Sequence, residues 1–197
     1  DNPTYKKRFA VLAAFVLAAV LVWLFVPFIA KRVNVIPTAI YEYFVNGKIA
    51  DGSAGIRLAL WHAAALIFWD NPLFGTGPAS YYVEKLKLID AGLIPSGAKR
   101  FTGPHSQLFN SLFESGVFGP LMVFSIYGSF ILYCRSYLRE NKALATAGIL
   151  LALGFMDFGL VEVIWDINNA GVFFTLIMVL IAGKLSHDRS QTSLSSV

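Results

Sequence analysis

Phe9 to Ala30 reads FAVLAAFVLAAVLVWLFVPFIA, an apolar run with no charged residue in it. About 20 such residues cross a bilayer as a helix, because in hydrocarbon the backbone must bond to itself. The run exceeds the roughly 7–15 residues of a signal-peptide core, and no small-residue cleavage site follows, so it reads as a span. The whole chain agrees. Of its 197 residues, 56% are hydrophobic and 14% charged, against roughly 25% charged in soluble domains.

Three further spans are expected at 117–134, 143–161 and 167–183. Arg135, Arg139 and Lys142 close the first of these. The other two form a tight pair joined by a turn near Trp165 to Ala170, with Asp157 and Gly159 interrupting it. The expected fold class is therefore all-α, a polytopic membrane helix bundle. It is divided as a span at 9–30, a large outer loop at 31–116 with amphipathic helices, the three later spans, and a cytoplasmic tail at 184–197 that is polar and disordered from Ser186. The chain reads as the C-terminal portion of a larger protein.

Orientation follows from the short loops. Lys6, Lys7 and Arg8 precede the first span, Arg135 to Lys142 separate the second and third, and Lys184 and Arg189 follow the last. The opposite short loop holds Glu162 and Asp166 and no Lys or Arg. The basic ends therefore face the cytoplasm and the 31–116 loop faces outward. That loop carries Lys31, Arg32, Lys48, Arg57, Lys85, Lys87, Lys99 and Arg100. Long loops translocate largely regardless of charge, and a basic excess outside points to an anionic partner. Cys134, the one cysteine, allows no disulfide within the chain.

Within the loop, Val35 to Val45 has helix-like spacing after Pro37 and suits the membrane surface. Asp51-Gly52-Ser53 is a helix entry for Ala54 to Trp69, closed by Asn71-Pro72. Arg57 and His62 are the titratable side chains of this apolar helix. Arg57 suits phosphate oxygens through its planar fork; the alternative is a structural salt bridge to Asp51, Asp70 or an acid near the last spans. His62 lies on a different face and reads as a packing residue. Phe74 to Pro78 is a structural turn whose backbone amides offer an anion a second choice. Tyr81 to Arg100 reads as a loop broken by Gly92, Pro95 and Gly97, either a solvated connector or a mobile lid or acceptor-binding flap.

Thr102-Gly103-Pro104 then marks a helix starting at or near His105, with Leu108, Phe109, Leu112 and Phe113 as its apolar face. His105 is either a cap that bonds backbone or a base placed at the membrane surface. Gly116 and Gly119 permit close packing or a bend where the chain enters the bilayer. Glu162 and Asp166 share a face if helical, and can pair with Arg57 or orient His105. No clustered His/Asp/Glu pattern of a dedicated metal site is present.

The run His105-Ser106, nine residues, then Gly116-Val117-Phe118-Gly119 resembles the large outer loop of bacterial O-antigen ligases (WaaL) of the Wzy_C superfamily. Gly55-Ile56-Arg57 to Trp61 and Asn71-Pro72-Leu73-Phe74-Gly75-Thr76-Gly77 are similar to the same superfamily. The resemblance implies a GT-C-like glycosyltransferase of the bacterial inner membrane with its active-site loop in the periplasm. It would move O-antigen polysaccharide from undecaprenyl diphosphate to lipid A-core, with inversion, without metal or other cofactor. His105 would be the catalytic residue and Arg57 the diphosphate ligand, with Arg100, Lys99, Glu162 and Asp166 in support. Implied partners are the lipid-linked glycan, lipid A-core, membrane lipids and the remaining transmembrane helices, and no nucleic acid. The family carries another functional arginine in an earlier outer loop, which this chain lacks. Three rivals stay open: a polysaccharide polymerase of the same superfamily, a transporter of an anion or glycan, and a non-catalytic assembly subunit.

Overall fold

The computed structural model describes residues 3–50, 52–166 and 168–195. It is all-helical, with no strand among the described residues. Among the described residues four helices are long and apolar enough to cross a membrane: Tyr5–Phe25, Phe118–Ser136, Lys142–Val161 and Asn169–Gln191. The chain divides into two compact units, Asp1–Leu58 and Ala59–Val197.

The first unit opens with α1 (Pro3–Phe25), whose apolar side chains are exposed along its length. Such a surface is stable only against lipid or other helices. The apolar run does not continue to Ala30 as one helix. Proline forces its predecessor out of the α region, and Val26 takes φ −108° and ψ 96° as the N-cap of α2 (Pro27–Phe44). The run is thus cut by Pro27 at the first position of a new helix, where a missing N–H costs nothing. That helix then passes straight through Pro37, the residue after which a helix was expected to begin. The first turns of α3 (Ser53–Asp70) also belong to this unit. Arg32 lies over the Phe28 ring at 5.3 Å and donates to Ser53 Oγ at 3.4 Å. Asp51 lies outside the described residues.

The second unit holds the rest of α3, then α4 (Tyr81–Asp90), α5 (Gln107–Ser115), α6 (Phe118–Ser136), α7 (Lys142–Val161) and α8 (Asn168–Ser195). The expectation of a loop over Tyr81 to Arg100 is corrected by α4. Tyr81 and Lys85, one helical turn apart, are both buried, and the Tyr81 hydroxyl donates to the Leu60 carbonyl at 2.8 Å. Helices α6, α7 and α8 share a core in which the Phe174 ring meets Tyr127 at 5.3 Å and Phe155 at 4.8 Å. Ala145, Gly148 and Ala152 form a small-residue seam on α7, the device that lets membrane helices approach closely. Asp157 and Gly159 do not interrupt α7, which runs unbroken to Val161.

The expected disordered tail is a helix as far as Ser195. Its polar residues are held by the loop between α6 and α7. Arg189 donates to both Glu140 carboxylate oxygens, at 3.2 and 2.9 Å, and stacks over Tyr137 at 3.8 Å. Asp188 accepts from Asn141 at 3.1 Å and pairs with Lys184 at 2.7 Å. These bonds gather the basic residues of α6, α7 and α8 at one end of the bundle, and the chain direction puts Glu162 at the other.

A Cβ on Gly148 would stand 2.5 Å from the Cys134 sulfur. Gly148→Ala is expected to cost about 1–3 kcal/mol through overpacking. Adding Cys134→Ala removes the atom in the way and should recover most of that loss. Thermal unfolding in a fixed detergent, run as a double-mutant cycle, measures the coupling; strictly additive losses would contradict the seam.

Candidate functional site

Helix α5 begins at Gln107, two residues later than the sequence pattern suggests. Ser106 is its extended N-cap, and His105 stands just before it with φ +50°. Left-handed backbone costs an L-residue roughly 1–2 kcal/mol, although histidine tolerates it better than most. The apolar face of α5 fixes this position. Phe109 stacks on Trp61 at 5.3 Å, and Phe113 packs against Tyr81 at 5.1 Å.

The C-terminal end of α5 explains the glycine motif. Gly116 has φ +60°, and a Cβ there would lie 2.3 Å from the Leu73 carbonyl oxygen. A Cβ on Gly119 would lie 2.0 Å from the Ser111 carbonyl oxygen. Both glycines are therefore required by backbone approach as the chain turns from α5 into α6. The amides of Thr76 and Gly77 donate to the carbonyls of Phe113 and Glu114, at 2.7 and 3.0 Å. They cap α5, so the turn is structural and those amides are not spare for an anion.

At the other end of α5 three bonds meet. His105 Nδ1 lies 3.2 Å from Glu162 Oε1. The Gln107 amide donates to the Glu162 carbonyl at 3.1 Å. The Trp165 amide donates to Gln107 Oε1 at 3.1 Å. Together these bonds tie the start of α5 to the turn between α7 and α8. Glu162 is the extended residue closing α7, at φ −149° and ψ 156°. It therefore does not share a helical face with Asp166, which falls in a 3-10 turn, Ile164–Asp166. The Asp166 side chain lies outside the described residues. With Nδ1–H donating to the carboxylate, Nε2 of His105 keeps its lone pair for a proton. His105 and Glu162 are 40% and 31% exposed at their side chains, so the pair is open to solvent.

The other cations sit as follows. Lys99 and Arg100 are exposed after a 3-10 turn, Ser96–Ala98, with the Arg100 guanidinium 5.0 Å over the Phe101 ring. The Phe101 ring in turn meets His105 edge-on at 5.9 Å. Arg57 is half-buried in α3, in the first unit, whereas His105, Glu162, Lys99 and Arg100 belong to the second. Sequence reasoning missed Phe101, Gln107 and the burial of Lys85. Gln107 had one signal, a polar residue at the first position of an otherwise apolar helix face.

The fold defines a multi-pass membrane protein of all-helical class with a polar histidine–carboxylate pair beside its spans. A family model for O-antigen ligases (Wzy_C) matches residues 4–124, and the chain belongs to that family. No curated protein matches the chain. The match runs from α1 into α6, so it takes in Arg57, Lys99, Arg100, His105 and both motif glycines, and stops short of Glu162. Membership puts the chain in the O-antigen ligase and polymerase superfamily, with polysaccharide and lipid substrates in a membrane setting.

Glycine has no penalty at φ +50°. His105→Gly is therefore expected to be more stable than His105→Ala by roughly 1 kcal/mol. Thermal unfolding of the two variants in one detergent checks this, and an alanine variant of equal or greater stability would contradict the left-handed backbone.

Proposed function

We propose that the chain carries the catalytic loop of an inverting, metal-independent O-antigen ligase, in which His105 is the general base. The observation that carries this reading is the His105–Glu162 pair at 3.2 Å, whose histidine belongs to a histidine–glycine motif within the family match. The loop between α1 and α6 faces the periplasm from the inner membrane, a reading supported by the basic residues at the opposite end of the bundle.

In the proposed reaction an acceptor hydroxyl of lipid A-core attacks the anomeric carbon of the undecaprenyl diphosphate-linked glycan. His105 Nε2 takes the hydroxyl proton as the new C–O bond forms. The bond from the anomeric carbon to the diphosphate oxygen breaks, and its electron pair leaves on the diphosphate. Displacement from the opposite face inverts the anomeric centre. Glu162 holds the imidazole in the tautomer that accepts at Nε2 and steadies the imidazolium that follows. Arg57 is assigned the diphosphate on chemistry alone: its fork matches phosphate oxygens and it stays charged throughout. Lys99 and Arg100 add positive potential from the same loop.

The reading is tested by supplying the purified full-length protein with lipid diphosphate-linked glycan and lipid A-core together. Glycan appearing on lipid A-core is the expected product. Elongated glycan on the lipid carrier, with lipid A-core untouched, would instead make the protein a polymerase, and transfer to neither would sink the proposal. Arg57→Lys keeps the charge and loses the fork, so the rate should fall about tenfold or more. Full activity in that variant would return Arg57 to a structural role. Glu162→Gln should lower kcat about 10- to 100-fold with little change in donor KM, since it acts through His105. A change confined to KM would contradict that role.

A further inference from the structure

Lys85 is fully buried on α4, and among the described residues no carboxylate pairs with it. An ammonium taken out of water is costly unless its N–H groups are satisfied. Here Nζ donates to the carbonyls of Ala98, at 3.0 Å, and Phe101. The rings of Tyr81 and Tyr82 lie 5.5 and 5.0 Å from the same nitrogen and offer their faces to the charge. Burial lowers the Lys85 pKa from 10.5 to about 8, which leaves the group mostly charged at neutral pH.

The two carbonyls bracket the segment that ends beside His105. Between them lie Lys99 and Arg100, the exposed cations of the loop. Phe101 provides one of the carbonyls, carries the Arg100 guanidinium on its ring, and sets that ring in T-shaped contact with His105. Gly92, Gly97 and Gly103 flank this stretch and offer it little stiffness of their own. A methionine would fill the Lys85 slot with no charge to desolvate, so the charge is accounted for by the carbonyls it holds.

We propose that Lys85 is a positioning residue: through the Ala98 and Phe101 carbonyls it clamps the basic segment Lys99–Arg100 and sets the Phe101 ring against His105. The clamp gives an anionic lipid-linked substrate two cations at a fixed place beside the histidine. Its catalytic consequence rests on the reading of His105 as the base; the clamp itself does not.

The test compares wild type, Lys85→Met and Phe101→Leu in the full-length protein in lipid nanodiscs. Hydrogen exchange and transfer kinetics with the lipid diphosphate-linked glycan are the readouts. In Lys85→Met, exchange at residues 98–105 should rise about tenfold or more while α5 and α6 keep their protection. Transfer should fall by a similar factor, with a raised donor KM as well as a lowered kcat. Phe101→Leu keeps both carbonyl acceptors, so it should slow transfer without loosening the segment. Unchanged exchange at 98–105 in Lys85→Met would overturn the clamp, as would a rise spread evenly over α4 and α5. A loosened segment with normal transfer would overturn the positioning role. Should wild type itself fail to use the donor, the proposed function falls, and the exchange measurement alone still decides whether Lys85 holds the segment.

Discussion

The junction between the start of α5 and the turn after α7 is the contact on which the candidate site depends. Two backbone amides and one side-chain pair make it: Gln107 to the Glu162 carbonyl, Trp165 to the Gln107 amide oxygen, and His105 to the Glu162 carboxylate. Gln107 is buried, so its bonds are shielded from water and each orphaned partner would be expensive. The junction also joins a short amphipathic helix to two apolar helices with little other polar surface. These bonds hold the histidine's ring nitrogen toward a carboxylate.

The bundle below the junction is held by other means. Lipid is as apolar as a leucine side chain, so helices associate through close packing rather than hydrophobic exclusion. The seam of Ala145, Gly148 and Ala152 and the aromatic cluster around Phe174 supply that packing. Polar bonds appear at the far end, where Arg189, Glu140, Asp188 and Asn141 tie α8 to the loop after α6. The Glu162 end and the basic end of the bundle are thereby separated by the length of a span.

Much of this was legible in the sequence because hydropathy and turn residues report directly on backbone needs. Spans marked by length, the helix of Ser53–Asp70 between its Ser and its Asn-Pro, and the close approach at Gly116 and Gly119 all follow from local rules. Other features were hidden because tertiary partners decide them. A lysine between Glu84 and Lys87 looks solvated until two carbonyls from another segment accept its N–H groups in the interior. A serine-rich tail looks disordered until Arg189 finds Glu140 and Tyr137. Pro27 was visible, yet a long apolar run outweighed the break that proline imposes on Val26. His105 was singled out from its position at the start of an expected helix; its left-handed backbone was not visible, because no residue type announces it. The His105–Glu162 pairing was one of several open choices, since nothing in a sequence measures distance across 57 positions.

The central claim is that His105 contributes a proton-accepting nitrogen and little else. His105→Gly tests it cleanly, because glycine suits the backbone at that position and leaves an open space where the ring stood. The decisive measurement is the initial rate of glycan transfer by purified His105→Gly protein as imidazole is added to the medium. The expected rate is about 10²–10⁴-fold below wild type without imidazole, rising with the concentration of its neutral form. A variant that transfers glycan at the wild-type rate without added imidazole would contradict it.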